Sequence, residues 1–232
     1  KKLIRIAQLI SGQSKSSTAI TALHVNPSVD INPYQIAENE KESFRPIKSE
    51  ANKLGVKIDT LYKISADARG EILENANSGS YDLLMIGMGQ SVLKGTFLGQ
   101  FIRLTAKTLR PGKLIESIAG KGFKPSGILD EKTIEFLNNS KVPVGIFIDN
   151  EMNSVNRILL PITSVSDVFL LFYVKKILNN SNASVTILDS EGIVEANAEI
   201  KQEIKSIENT FPDKIKLQER KQWKEKNIKK KL

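Results

Sequence analysis

The chain has 232 residues, 40% hydrophobic and 26% charged, enough apolar surface for one large core or two small ones. It contains no cysteine and one histidine, which excludes disulfides and thiolate metal sites and argues against a histidine-built metal cluster or catalytic triad. The formal charge of +8 is uneven: residues 214–232 hold nine Lys/Arg against Glu219 and Glu225, a net +7, so residues 1–213 carry only +1. A general nucleic-acid binder spreads positive charge over a folded face, so no nucleic-acid partner is expected.

Apolar runs such as Val168–Val174 fall far short of the ~18 residues of a membrane span. Lys1 and Lys2 lead into an amphipathic pattern with an early Arg5, unlike a signal peptide. The expectation is a soluble piece, compatible with a longer polypeptide.

In chain order, Lys2–Ile10 reads as a helix with Leu3, Ile6, Ala7 and Ile10 on one face. Short β-branched or apolar runs bounded by turn residues predict strands at Ile20–Val25, Val56–Tyr62, Leu83–Gly87, Val142–Ile148, Arg157–Pro161, Val185–Asp189 and Ile215–Gln218. Asn32-Pro33 starts a second helix, which should bend or restart near Pro46 and end near Gly55. Ser65 is the expected cap of a third helix carrying Ile72, Leu73 and Ala76 and closed by Gly79. Strand–helix alternation implies an α/β fold with open parallel sheets.

The order of elements repeats. LIRIAQLISGQSKSSTAITALHV and VFLLFYVKKILNNSNASVTILD are each helix, polar turn, strand, and each is followed by a polar helix and another strand. The second copy has a strand, NRILLPIT, before its first helix; the first copy begins at the helix. Two domains of one kind follow, 1–150 and 151–232, the first missing its opening strand and the second incomplete.

This pattern resembles tandem universal stress protein domains. The residues that carry the resemblance are ITALHVNP, SADARGEILENANSGSYDLLMIG, KTIEFLNNSKVPVGIFID and NRILLPIT. It covers most of the chain outside about thirty residues near 101–130. The resemblance implies an adenine nucleotide alpha hydrolase-like fold of five parallel strands, pairing of two copies as a homodimer, and in some members ATP binding. KVPVGIFIDN before a second NRILLPIT, with an insertion containing LRPGKLIESIAGKGF, further resembles the cytosolic tails of bacterial cation/proton antiporters. That likeness implies a non-catalytic regulatory domain at the cytoplasmic face of the inner membrane, with the membrane transport domain of the same polypeptide as partner. The alternative it leaves is a free-standing cytoplasmic tandem universal stress protein that binds ATP or another adenine nucleotide.

The loop after Leu83–Gly87 is the candidate site. Glycines after a parallel strand let backbone approach a phosphate. ATP-binding family members have Gly-x2-Gly-x9-Gly followed by Ser or Thr. Here Gly89 and Gly99 keep the nine-residue gap, but Gly87-Met88-Gly89 shortens the first spacing and Gln100 replaces the hydroxyl. Thr163 stands where the second copy of such a member would carry an adenine-binding Asp, and Lys94-Gly95-Thr96 has the wrong order for a Walker loop. The nucleotide-binding candidates are thus Gly87, Gly89, Gly99 and Gln100, in competition with a purely structural glycine turn.

Three further features carry paired readings. His24 is a packed strand histidine or a pH sensor. Residues 101–130, net +4 with apolar residues at helical spacing, form a helical hairpin turning at Pro111-Gly112 or a peripheral contact with an anionic membrane. The lysine-rich end with Trp223 is a solvated helix face, or else a nucleic-acid arm or membrane anchor. No His-Glu-x-x-His, EF-hand or Gly-x-Ser-x-Gly pattern is present, so no enzyme chemistry and no metal are expected.

Overall fold

The computed structural model describes residues 1–12, 20–27, 32–88, 131–149, 151–189 and 191–219. Among the described residues the protein is mixed α/β with small open parallel sheets of two, two and three strands. The described residues fall into two compact units, one up to Glu151 and one from Met152 onward.

In the first unit, α1 (Lys2–Ser11) is followed by β1 (Ile20–Asn26), α2 (Ile36–Leu54), β2 (Ile58–Ile64), α3 (Ala68–Ser78), β3 (Leu84–Met88), α4 (Glu131–Asn139) and β4 (Val144–Ile148). β1 pairs with β2 and β3 with β4, each parallel, with Ile20 opposite Ile58 and Leu84 opposite Val144. All four strands fall at the expected apolar runs; β1 starts at Ile20 as expected, and the other three start one or two residues later. Val56 donates its N–H back to Ala51 at 2.9 Å around the left-handed Gly55, so it closes α2 and the strand starts two residues later. Pro143 has no N–H to donate, and β4 begins after it.

Two expectations for the helices are corrected. The expected restart at Pro46 does not occur: α2 runs unbroken through it. Pro46 is exposed, so water can take the carbonyl it leaves free, while Phe44 and Ala51 anchor the opposite face. The N-cap of α3 is Asp67, whose Oδ1 accepts from Gly70 N at 3.0 Å, and not Ser65. The Ser65 hydroxyl instead accepts from Asp67 N at 3.2 Å and so supports the cap. The Asn32 side chain does accept from Tyr34 N, with Pro33 at the first helical position of a short 3-10 turn.

The buried hydrophobic residues described in the first unit lie on its helices: Ile4, Phe44, Ala51, Leu73, Ala76 and Phe136. None of its strand residues with described side chains is buried. Ile4, and not Leu3, Ile6, Ala7 or Ile10, is the fully covered residue of α1; those four are half-buried. Glu50 is buried on α2 and meets Arg5 of α1, with Nε donating at 2.8 Å. That hydrogen bond holds the Glu50 carboxyl below the usual range, against the opposing effect of burial.

In the second unit, β5 (Arg157–Ile162) leads through a 3-10 turn (Val165–Phe169) into α5 (Leu170–Asn179), β6 (Ser184–Asp189), α6 (Ile193–Ala196), α7 (Ala198–Thr210) and β7 (Ile215–Glu219). The sheet order is β5-β6-β7, all parallel. Leu160, Ile162, Val185, Ile187 and Ile215 form one core with Leu171, Val174 and Leu178 of α5, Val194 of α6, and Ile200, Ile204 and Ile207 of α7. Both long helices therefore cover the same sheet face. Leu159, on the alternate face, is 46% exposed. Ser184 N donates to Asn156 O at 3.0 Å, which fixes the ladder: Ile158, Leu160 and Ile162 address β6, and Pro161 faces the free edge.

Replacing Ile187, fully buried at the centre of this core, with Ala should destabilise the second unit by about 2–5 kcal/mol. Ile146→Ala, at a half-buried position of β4, should cost well under that. Urea denaturation of the two variants followed by circular dichroism checks the difference.

Candidate functional site

Open parallel sheets bind ligands at the carboxyl ends of their strands, where helix N-termini present unpaired N–H groups. In the first unit that place is the end of β3. Gly87 lies on β3 opposite Phe147 and is exposed. A Cβ at Gly87 would meet only Leu3 Cδ2, at 3.9 Å, so space does not demand a glycine there. Gly89, Gly99 and Gln100 lie outside the described residues, so of the four candidate site residues only Gly87 is placed. Beyond the end of β4, Asp149 pairs with Lys2 at 3.0 Å, which sets a carboxylate at the start of α1.

His24, on β1, is exposed and stacks on Tyr62 of β2, with ring centroids 5.5 Å apart and planes 11° from parallel. Phe44 meets it edge-on at 6.2 Å. Asn26 Nδ2 donates to the Tyr62 hydroxyl at 2.9 Å and fixes that ring. The insertion 101–130 and the end with Trp223 lie outside the described residues.

In the second unit the N–H groups at the strand ends meet the protein's own side chains. At the end of β5, Asp167 Oδ2 accepts from Thr163 N at 2.8 Å, Thr163 Oγ1 at 2.9 Å and Ser164 N at 2.9 Å. Burial opposes ionisation of Asp167, but the hydrogen bonds from Thr163 and Ser164 prevail and hold its carboxyl below the usual range. Thr163, expected from the resemblance at the place of an adenine-binding Asp, is exposed and directs its hydroxyl to Asp167. At the end of β6, Asp189 is completely buried and accepts from Ile193 N at 2.7 Å, Val194 N at 3.0 Å and Glu195 N at 3.2 Å. Gly192, at φ +78°, makes the turn that brings those three amides together. At the start of α7, Asn197 Oδ1 accepts from Glu199 N and Ile200 N.

Asp167, Asp189 and Asn197 thus occupy the amides that a phosphate would otherwise use. An open groove of about 360 Å³ between the 3-10 turn, α5 and α7 is lined by Val165, Phe169, Phe172 and Ile200, with Glu199 and Glu203 on one wall. Its carboxylates disfavour an anionic ligand. No cluster of metal-ligating side chains occurs among the described residues.

The sequence reading passed over Asp167 and Asp189. Ser164-Val165-Ser166-Asp167 carries a Ser-x-x-Asp capping signal that could have found the first. The second had no comparable signal, because its partners are backbone amides four to six residues on.

Asp167 gives a pH dependence with a fixed sign. Its folded-state pKa lies below the unfolded value, so its stabilisation is full above about pH 4 and is lost as pH falls through the folded value. Asp167→Asn should therefore flatten the acid limb of the stability curve. Urea midpoints from about pH 5 down to pH 2 check this, and parallel curves for the two proteins would refute it.

The chain matches no protein-family model, and no curated protein matches it.

Proposed function

We propose that the chain is a non-catalytic regulatory domain, built from two universal stress protein-like units, that forms the cytosolic tail of a cation/proton antiporter. The observation that carries the non-catalytic part is the internal capping of the second unit: Asp167, Asp189 and Asn197 take up the amides at its strand ends. The consecutive parallel order β5-β6-β7 and the duplicated element order support the tandem fold. No helix among the described residues is long and apolar enough to cross a membrane, which accords with a domain attached beside a transport unit.

The mechanism is coupling. A contact that prefers one arrangement of the tail shifts the membrane partner between active and inactive states, by no more than its differential affinity for the two. The alternative, a free-standing nucleotide-binding protein, rests on the exposed Gly87 at the end of β3.

Two measurements separate the readings. An immunoblot of fractionated native cells should give a membrane-pelleted band much larger than this chain; a soluble band would reject the antiporter assignment. Titration of the full chain with a fluorescent ATP analogue should show no saturation below about 1 mM. Saturable micromolar binding would replace the non-catalytic tail with the nucleotide-binding alternative.

A further inference from the structure

The second unit leaves an apolar stripe uncovered. Val165, Phe169 and Phe172 recur at intervals of four and three residues along the 3-10 turn and the first turn of α5. They are 58%, 51% and 53% exposed, and all three line the open groove beside α7. Isolated apolar side chains are ordinary on a surface; three that converge on one groove mark a place of contact. The two rings are held in place. Tyr173 meets Phe169 and Phe172 edge-on, with ring centroids 6.1 and 5.4 Å away. Leu171 and Ile200, both buried, form the floor of the groove.

Charge is divided across this groove. On the α7 wall Glu199 and Glu203 stand one helical turn apart, and both are exposed. Among the described residues neither is in an ion pair. On the α5 side Lys176 places Nζ over the Phe172 ring, 4.5 Å from its centroid. A partner therefore meets anions on one side and a capped aromatic face on the other. The carboxylates repel an anionic membrane, and a lipid surface has no ridge to enter a groove. An amphipathic helix fits both features. Its apolar ridge seats between two helices, and its flank brings cations one turn apart to carboxylates one turn apart.

We propose that this groove docks an amphipathic helix of a partner protein. Its branched aliphatic side chains pack against Val165, Phe169 and Phe172, and its Lys or Arg side chains pair with Glu199 and Glu203. The stripe supplies affinity, and the carboxylates set register and orientation. The chain's net charge of +8 repels a basic helix at long range, so any preference for one reports the two local carboxylates.

Fluorescence anisotropy of the full chain tests this with a labelled alanine-based helix of about 18 residues. The probe bears a leucine ridge and lysines one turn apart along one flank; a second peptide carries glutamine at those flank positions. At about 0.15 M salt the lysine peptide should saturate in the micromolar range, at least ~10-fold more tightly than the glutamine peptide. Glu199→Gln/Glu203→Gln should remove that difference. Phe169→Ser/Phe172→Ser should weaken both peptides at least ~10-fold. All four positions are exposed, and circular dichroism checks that each variant keeps its fold.

Absence of saturable binding by the lysine peptide would overturn the proposal, as would equal binding of the two peptides. Unchanged binding by the Phe169→Ser/Phe172→Ser chain would also overturn it. Two outcomes would give the groove another occupant. Dimerisation of the unaltered chain, read by sedimentation and lost in the Phe169→Ser/Phe172→Ser variant, would assign it to a second copy. Binding to anionic vesicles lost in that same variant would assign it to a membrane. Either would reject a partner helix.

Discussion

A parallel strand directs alternate backbone groups to opposite neighbours, so its stability depends on what lies at both of its edges. That constraint governs the first unit. Among the described residues, β1 and β3 each pair along one edge, with β2 and β4, and the strand side chains are half-buried or exposed. Its helices carry the order that its strands lack. Arg5 and Glu50 lock α1 to α2. Asn77 reaches from α3 to the turn after α4, donating to Asn139 O at 3.0 Å and accepting from Lys141 N at 2.7 Å. The second unit, with three strands in sequence and both long helices over one face, gathers a single dense core instead.

A second constraint acts at the helix starts, where N–H groups lack intrahelical partners. The second unit resolves it with its own acceptors, and two of the three are carboxylates. The same groups that complete the fold thereby remove the usual means of holding a phosphate. The strand ends become structural joints, which suits the regulatory role proposed above. At the one described candidate position of the first unit, Gly87, the backbone is ordinary strand with room for a side chain.

Most of the secondary structure was legible in the sequence, because seven short apolar runs between turn residues leave little other than a strand at each place. Boundaries failed where a local hydrogen bond outranked the pattern. Val56 is as β-branched as Ile58, yet its amide closes the preceding helix. Ser65 had the right chemistry for a cap but lies two residues too early, and Asp67 takes the role. Pro46 would break many helices; here it falls on the solvent side, where the lost bond costs little. The chemistry of the strand ends was less legible. Asp189 reads as the polar end of a strand, and only folding brings three amides around it.

The free edge of β5 bears a different mark from the edges of the first unit. Pro161 offers no donor there, and the amide of Thr163 is already drawn to Asp167. Only Arg157 and Leu159 retain outward-facing amides, and Arg157 brings a charge. Natural sheets blunt their borders in this way to avoid joining with other molecules. That border of the second unit is therefore guarded against edge-to-edge pairing, while neither β1 nor β3 carries a proline.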